Sequence, residues 1–180
     1  SLLLPFFPLT PIQLLVQSLL YDLGQLSLPY DNVDKEYIQK PRKWDMKSIK
    51  KFMYYMGPTS SIFDLVVFAL LWFAFGIRTA ALFQTTWFCY GIVPTMMGLH
   101  VIRSSKRPFL ETHASIAVYA TTILISIVTL LIPFTPLGSI IGLVPIPLIY
   151  IVVILGVSFL YCMLASFVKK IYIKKYGEWL

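Results

Sequence analysis

Six polar side chains interrupt an otherwise apolar stretch at residues 11–28. They are Gln13, Gln17, Ser18, Tyr21, Asp22 and Gln25, at steps of four, one, three, one and three. On a helix of about 3.6 residues per turn these positions form one polar stripe, with Leu14, Leu15, Leu19, Leu20 and Leu23 mostly away from it. A carboxylate at membrane depth costs a few to ~10 kcal/mol, depending on the reference. It ordinarily faces a bundle interior or a water-filled cavity and marks an ion or proton path. Ser18 and Asp22 stand at i and i+4, so their oxygens address one point. Hard cations take oxygen ligands, and Mg²⁺ in particular keeps several waters and uses only one or two carboxylates. Asp22 and Ser18 are therefore the candidate metal ligands, with Gln17, Tyr21 and Gln25 as weaker candidates beside them. The competing reading is an Asp22 hydrogen-bonded to neighbouring helices for packing alone.

No other catalytic signal accompanies this stripe. There is no Walker-type Gly-Lys loop, no HExxH and no GxSxG. The Asp-Lys-Thr-Gly-Thr phosphorylation sequence of P-type pumps is also absent from these residues. No catalytic or cofactor-binding residue is assigned. Cys89 and Cys162 both fall in apolar stretches and read as structural thiols, not as a disulfide framework or metal site.

The elements that must position the stripe follow from composition. The 180 residues are 58% hydrophobic and 13% charged, with mean hydropathy +0.77. An ordinary soluble domain is about 25% charged, so this chain falls in the membrane class. A bilayer takes roughly 20 apolar residues as helix. Five stretches qualify, at about 12–28, 57–77, 82–102, 114–134 and 145–168. Residues 2–7 read as the end of an earlier helix, so the chain is expected to be the later part of something longer. The expected fold is an all-α integral membrane bundle of five spans plus the end of a sixth. It forms a single transmembrane domain with an interfacial loop at 29–56.

Charge sets the orientation. The net charge is +7, yet fourteen of the fifteen Lys and Arg lie in three segments: 29–56, 103–113 and the tail after 168. Only Arg78 lies elsewhere. With five spans these segments share one face, which the positive-inside rule places in the cytoplasm together with the C-terminus. The charge thus reads as topology, and no nucleic-acid partner is implied. KSIKKFMYYMG, at the end of the loop, reads either as a short interfacial helix or as solvated chain with anchoring lysines. Asp64 is expected near the cytoplasmic interface, paired with a lysine or capping a backbone group. His100 and His113 are expected as interfacial side chains. Pro94 should kink the third span, and Gly91 and Gly98 beside it invite close helix contact.

Three segments carry a family resemblance: LTPIQLLVQSLLYDLGQLSLPYDNVDKEYIQKPRKWD (9–45), FMYYMGPTSSIFDLVVFALLWFAFG (52–76) and KKIYIKKYGEWL at the end. They resemble the C-terminal membrane region of P-type ATPases, most closely the bacterial magnesium-transporting ones. The resemblance implies that the five spans are helices six to ten of a ten-helix pump in the bacterial inner membrane. It implies Mg²⁺ as the transported ion, and ATP only through domains outside this chain, so the chain alone should not hydrolyse it. The implied partners are the lipid bilayer and the N-terminal part of the same pump, with its phosphorylation domain and helices one to five. The loop 29–56, with Lys40, Arg42 and Lys43, would lie under the phosphorylation domain. In the family's sixth helix an Asn and, four residues on, an Asp hold the cation. The Asp falls on Asp22, whereas Ser18 replaces the Asn with a shorter hydroxyl. Tyr90 and Pro94 stand where the eighth helix of magnesium pumps is expected to carry an acidic residue and a Gln. These departures leave a Ca²⁺ or monovalent-cation pump as the alternative, with a free-standing non-catalytic membrane subunit or remnant as a further one. A polar stripe left without partners would also favour self-association of the isolated fragment.

Overall fold

The computed structural model describes residues 5–31, 46–103 and 114–176. Among them every regular element is helical and there is no strand. Helix α1, Pro11–Gln25, starts at a capping box. The Thr10 hydroxyl accepts from the Gln13 N–H, and the Gln13 carbonyl oxygen accepts from the Thr10 N–H at 2.9 Å. Two of the orphan donors at the helix start are thereby satisfied, and Pro11 occupies a position where its missing N–H matters least. A 3₁₀ turn, Leu28–Tyr30, follows.

Helix α2, Met46–Ala69, passes without a break through KSIKKFMYYMG and across Pro58 into a π-helical turn, Leu70–Ala74. Of the two readings of this segment, a short helix leading into the next span or a solvated loop, the helix is the one found, continuous with the span that follows. Two causes are visible. The Thr59 and Ser60 hydroxyls donate to the carbonyls of Tyr55 and Gly57 around the proline, each at 2.9 Å, which compensates a backbone that Pro58 interrupts. Tyr55 also packs edge-on against Tyr172 of the last helix, with ring centroids 5.6 Å apart. Residues 32–45, which hold most of the remaining loop together with Lys40, Arg42 and Lys43, lie outside the described residues.

Helix α3, Ala80–Ile102, continues through Pro94. Helix α4, Ile116–Leu131, begins where the Ser115 hydroxyl accepts from the Val118 N–H. A 3₁₀ turn (Ile132–Phe134) and the short α5, Pro136–Ile140, lead to the long α6, Leu148–Tyr176. Gly142, at φ +79°, takes the left-handed conformation that lets the chain turn after α5. The turn is pinned from both sides, since Val144 N donates to the Thr85 hydroxyl at 2.9 Å and the Gln13 amide donates to the Ile141 carbonyl at 3.2 Å.

Among the described residues three segments are long and apolar enough to cross a membrane: Lys50–Ala74, Ile116–Phe134 and Leu148–Tyr176. Helix α3 is long enough as well but more polar, with Gln84, Thr85, Thr86, Thr95 and His100 along it. Its position explains that composition. It packs against α1, α4 and α6, and most of its side chains are buried. A central helix shielded from lipid tolerates hydroxyls that bond back to its own carbonyls, as Thr85 and Thr86 do to Ala81 and Leu82. The lipid-facing helices are apolar outward instead, with Leu148, Val152, Phe159, Met163 and Phe167 of α6 all exposed. Between helices in lipid, close packing replaces the hydrophobic effect, and small residues allow it. The ring of Tyr161 lies against Gly98, and Met96 lies against Gly24, so tightly that a Cβ at either glycine would collide or crowd.

His100 departs from expectation. It is buried, not interfacial, bonded through Nε2 to the Thr122 hydroxyl at 3.0 Å and stacked on Tyr119. His113 lies outside the described residues. Cys89 is buried and Cys162 half-buried, and both are free thiols, as expected.

Candidate functional site

Helix geometry splits the polar stripe of α1 into an inner and an outer part. The residues of α1 buried in the bundle are Gln13, Leu20 and Gly24. At ~100° per residue, Asp22 stands about 180° from Gln13 around the axis. Asp22 and Ser18 are accordingly exposed, on a face shared with the exposed Leu15, Leu19 and Leu26. Gln17, Tyr21 and Gln25 lie between the two faces and are half-buried.

Each stripe residue therefore meets different surroundings. Gln13 is fully buried and committed at both ends of its amide, to Thr10 and to Ile141. It is a structural clamp between α1 and the α5–α6 turn. The Gln17 amide packs directly on Gly91 of α3, where no larger residue would fit unless that amide moved. Tyr21 joins the edge of the main apolar core. Asp22 makes no side-chain hydrogen bond or ion pair among the described residues, and neither does Ser18. The structure brings no second carboxylate to Asp22, and no group of three His, Cys, Asp or Glu able to hold a metal occurs among the described residues.

A second carboxylate has a site of its own. The Tyr90 hydroxyl donates to Asp64 Oδ1 at 3.0 Å, joining α3 to α2. The pair borders a cavity of about 110 Å³ that is also lined by Ser60, Pro94, Thr95 and Tyr161. Asp64 was expected near the cytoplasmic end of its span, paired with a lysine or capping the backbone. It lies instead near the midpoint of Lys50–Ala74, and its partner is a tyrosine. The partnership itself leaves no trace in local spacing, since it joins two helices.

At the end of the bundle that carries the basic segments, a polar tie connects three chain segments. Arg103 forms an ion pair with Asp31 Oδ2, and Asp31 Oδ1 accepts from the Ser115 N–H at 2.8 Å. Lys169 of α6, buried, donates to the carbonyl of Val101 at 2.8 Å near the end of α3. The tie fixes the end of the α1 segment relative to α3 and α4.

Comparison with known proteins agrees with this architecture. Residues 6–171 match the family model described as cation transporting ATPase, C-terminus. A magnesium-transporting ATPase, P-type 1, of Salmonella typhimurium strain LT2 is 45% identical over 182 residues, covering 99% of this chain and 20% of that protein. The protein of the same description from Escherichia coli strain K12 is 39% identical over 180 residues, covering 98% of this chain and 20% of its own length. The chain thus spans about one fifth of the curated relatives it matches.

Proposed function

Since the chain belongs to the cation-transporting ATPase C-terminal family, we propose that it is the membrane portion of an ATP-driven pump that moves Mg²⁺. It is an integral membrane protein, built of helices whose outward faces are apolar. In the proposed pump, Asp22 and Ser18 supply part of a midmembrane cation site. Gln17, Tyr21 and Gln25 position α1 so that those two oxygens point away from the bundle.

One observation carries this reading. Asp22 makes no side-chain hydrogen bond or ion pair among the described residues and stands on the face of α1 opposite the packed one. A carboxylate left in hydrocarbon is unfavourable by several kcal/mol. A neighbouring helix and a hydrated cation would relieve it, and the missing four fifths of the relatives' length is where such helices would come from. The phosphorylation and nucleotide-binding domains would come from the same portion, so ATP hydrolysis belongs to the whole pump. The basic segments support a cytoplasmic C-terminus and insertion in the bacterial inner membrane.

The test uses the full-length protein that carries this chain, purified in detergent. Its ATPase rate is measured against Mg²⁺, Ca²⁺ and Na⁺, with MgATP held constant in the latter two. We expect Asp22→Ala to lose cation stimulation while its unfolding midpoint stays unchanged. Full stimulation in a folded Asp22→Ala protein would make Asp22 structural. Stimulation by Ca²⁺ or Na⁺ in place of Mg²⁺ would trace selectivity to the short hydroxyl of Ser18.

A further inference from the structure

The cavity beside Asp64 has the chemistry of a site, and the Asp22 reading does not use it. Three helices contribute to it near their midpoints: Asp64 in Lys50–Ala74, Tyr90 in α3 and Tyr161 in α6. The cavity therefore lies at the centre of the apolar layer, where an ionisable side chain is least expected without a function. Helices α2 and α3 meet there through side chains, and the space between their backbones is left open, with hydroxyls and one carboxylate among its lining.

Its lining offers oxygen and nothing softer. Asp64 Oδ1 holds the Tyr90 hydroxyl, while the second carboxylate oxygen has no hydrogen-bond partner among the described residues. Ser60 and Thr95 donate their protons to the carbonyls of Gly57 and Gly91, at 2.9 and 2.7 Å, so their oxygens keep lone pairs to offer. Pro94 has no N–H to give the Tyr90 carbonyl, which removes one helical bond beside the cavity. The Tyr90 carbonyl is thereby left without its usual helical donor, although the helix itself runs on through Pro94. Asp64 is exposed and Tyr90 buried, so the carboxylate is reachable from outside the bundle. At about 110 Å³ the cavity has room for several waters, and the oxygens of Asp64, Ser60 and Thr95 give them partners.

We propose that Asp64, with the Tyr90 hydroxyl beside it, forms a second station for a hydrated divalent cation, separate from Asp22. A single carboxylate, hydroxyl oxygens and retained water suit a small hard dication that sheds its hydration reluctantly. The station borders the stripe of α1, because Gln17 packs on Gly91 and Gly91 lines the cavity. A purely structural Asp–Tyr bond would need neither the cavity nor the charge. This inference rests on the chain being part of a cation pump and is independent of Asp22 being a ligand.

Mn²⁺ is the probe, bound to the full-length, nucleotide-free protein and counted by the paramagnetic resonance of the unbound ion. We expect Asp64→Asn to lose one bound Mn²⁺, or to weaken it more than about tenfold. Asp64→Glu should keep it, and Tyr90→Phe should weaken it several-fold at unchanged stoichiometry. An unchanged count and affinity in Asp64→Asn overturns the proposal. If Asp64→Asn fails to fold, Tyr90→Phe and Ser60→Ala decide, and wild-type affinity in both overturns it equally. Asp22→Asn is measured in parallel. Loss in Asp64→Asn with full binding in Asp22→Asn would remove the Asp22 site and leave this one standing, and the reverse outcome would do the opposite.

Discussion

Asp22, Asp64 and Asp31 are three carboxylates in one bundle, and their partners differ in kind. Asp22 has none among the described residues, Asp64 has a neutral hydroxyl, and Asp31 has at least a guanidinium and a backbone N–H. Asp31 and Arg103 are both largely buried, at 10% and 6% side-chain exposure, so removing one charge takes from the other its ion-pair partner in a poorly solvated place. Breaking such a pair costs roughly 3–5 kcal/mol, whereas replacing both partners costs much less. We therefore expect Asp31→Asn to lower the unfolding midpoint markedly in detergent. Asp31→Asn combined with Arg103→Gln should recover part of the loss. A single variant as stable as wild type would show that the pair contributes nothing. Asp22 and Ser18 could be singled out because an i, i+4 pair lies on one helix. The Asp64–Tyr90 pair could not, because its members are 26 residues apart and meet only when two helices pack.

At the scale of elements, α3 is the axis of the bundle, and its polarity follows from shielding by α1, α4 and α6. The turn after α5 is anchored to it by the Val144 N–H donated to the Thr85 hydroxyl. Thr85→Val keeps the shape and removes the acceptor, which should cost about 1–3 kcal/mol for the backbone N–H left unmatched. Faster amide exchange at Val144 is the measurement, and wild-type protection there would count against the anchor. Helix α2 shows the limit of hydropathy windows. Its lysines and tyrosines left the first turns open between a short helix and a loop, and the structure has them helical from Met46, with Tyr55 held by ring contacts to Tyr172 and Tyr176. Nothing local in KSIKKFMYYMG reports that α6 will lie beside it.

For the whole molecule, the placement of the basic segments at one end yields a topological prediction. Single cysteines at Ser139 and at Lys174, in a background with Cys89 and Cys162 replaced, should react with an impermeant maleimide on opposite sides of the membrane. Labelling at position 139 is expected from outside intact cells, and at 174 only after permeabilisation. The opposite pattern would invert the bundle and overturn the proposed cytoplasmic C-terminus. Composition and hydropathy were enough to establish a helical membrane protein, and charge asymmetry to propose its orientation. These are properties of segments, and a bilayer sorts segments by transfer free energy one at a time. Which side of α1 faces the bundle, and which tyrosine meets Asp64, only the tertiary structure decided. Those outcomes depend on how helices rotate against one another, and that rotation is set by close contacts, such as Met96 on Gly24 and Gln17 on Gly91, between residues far apart in the chain.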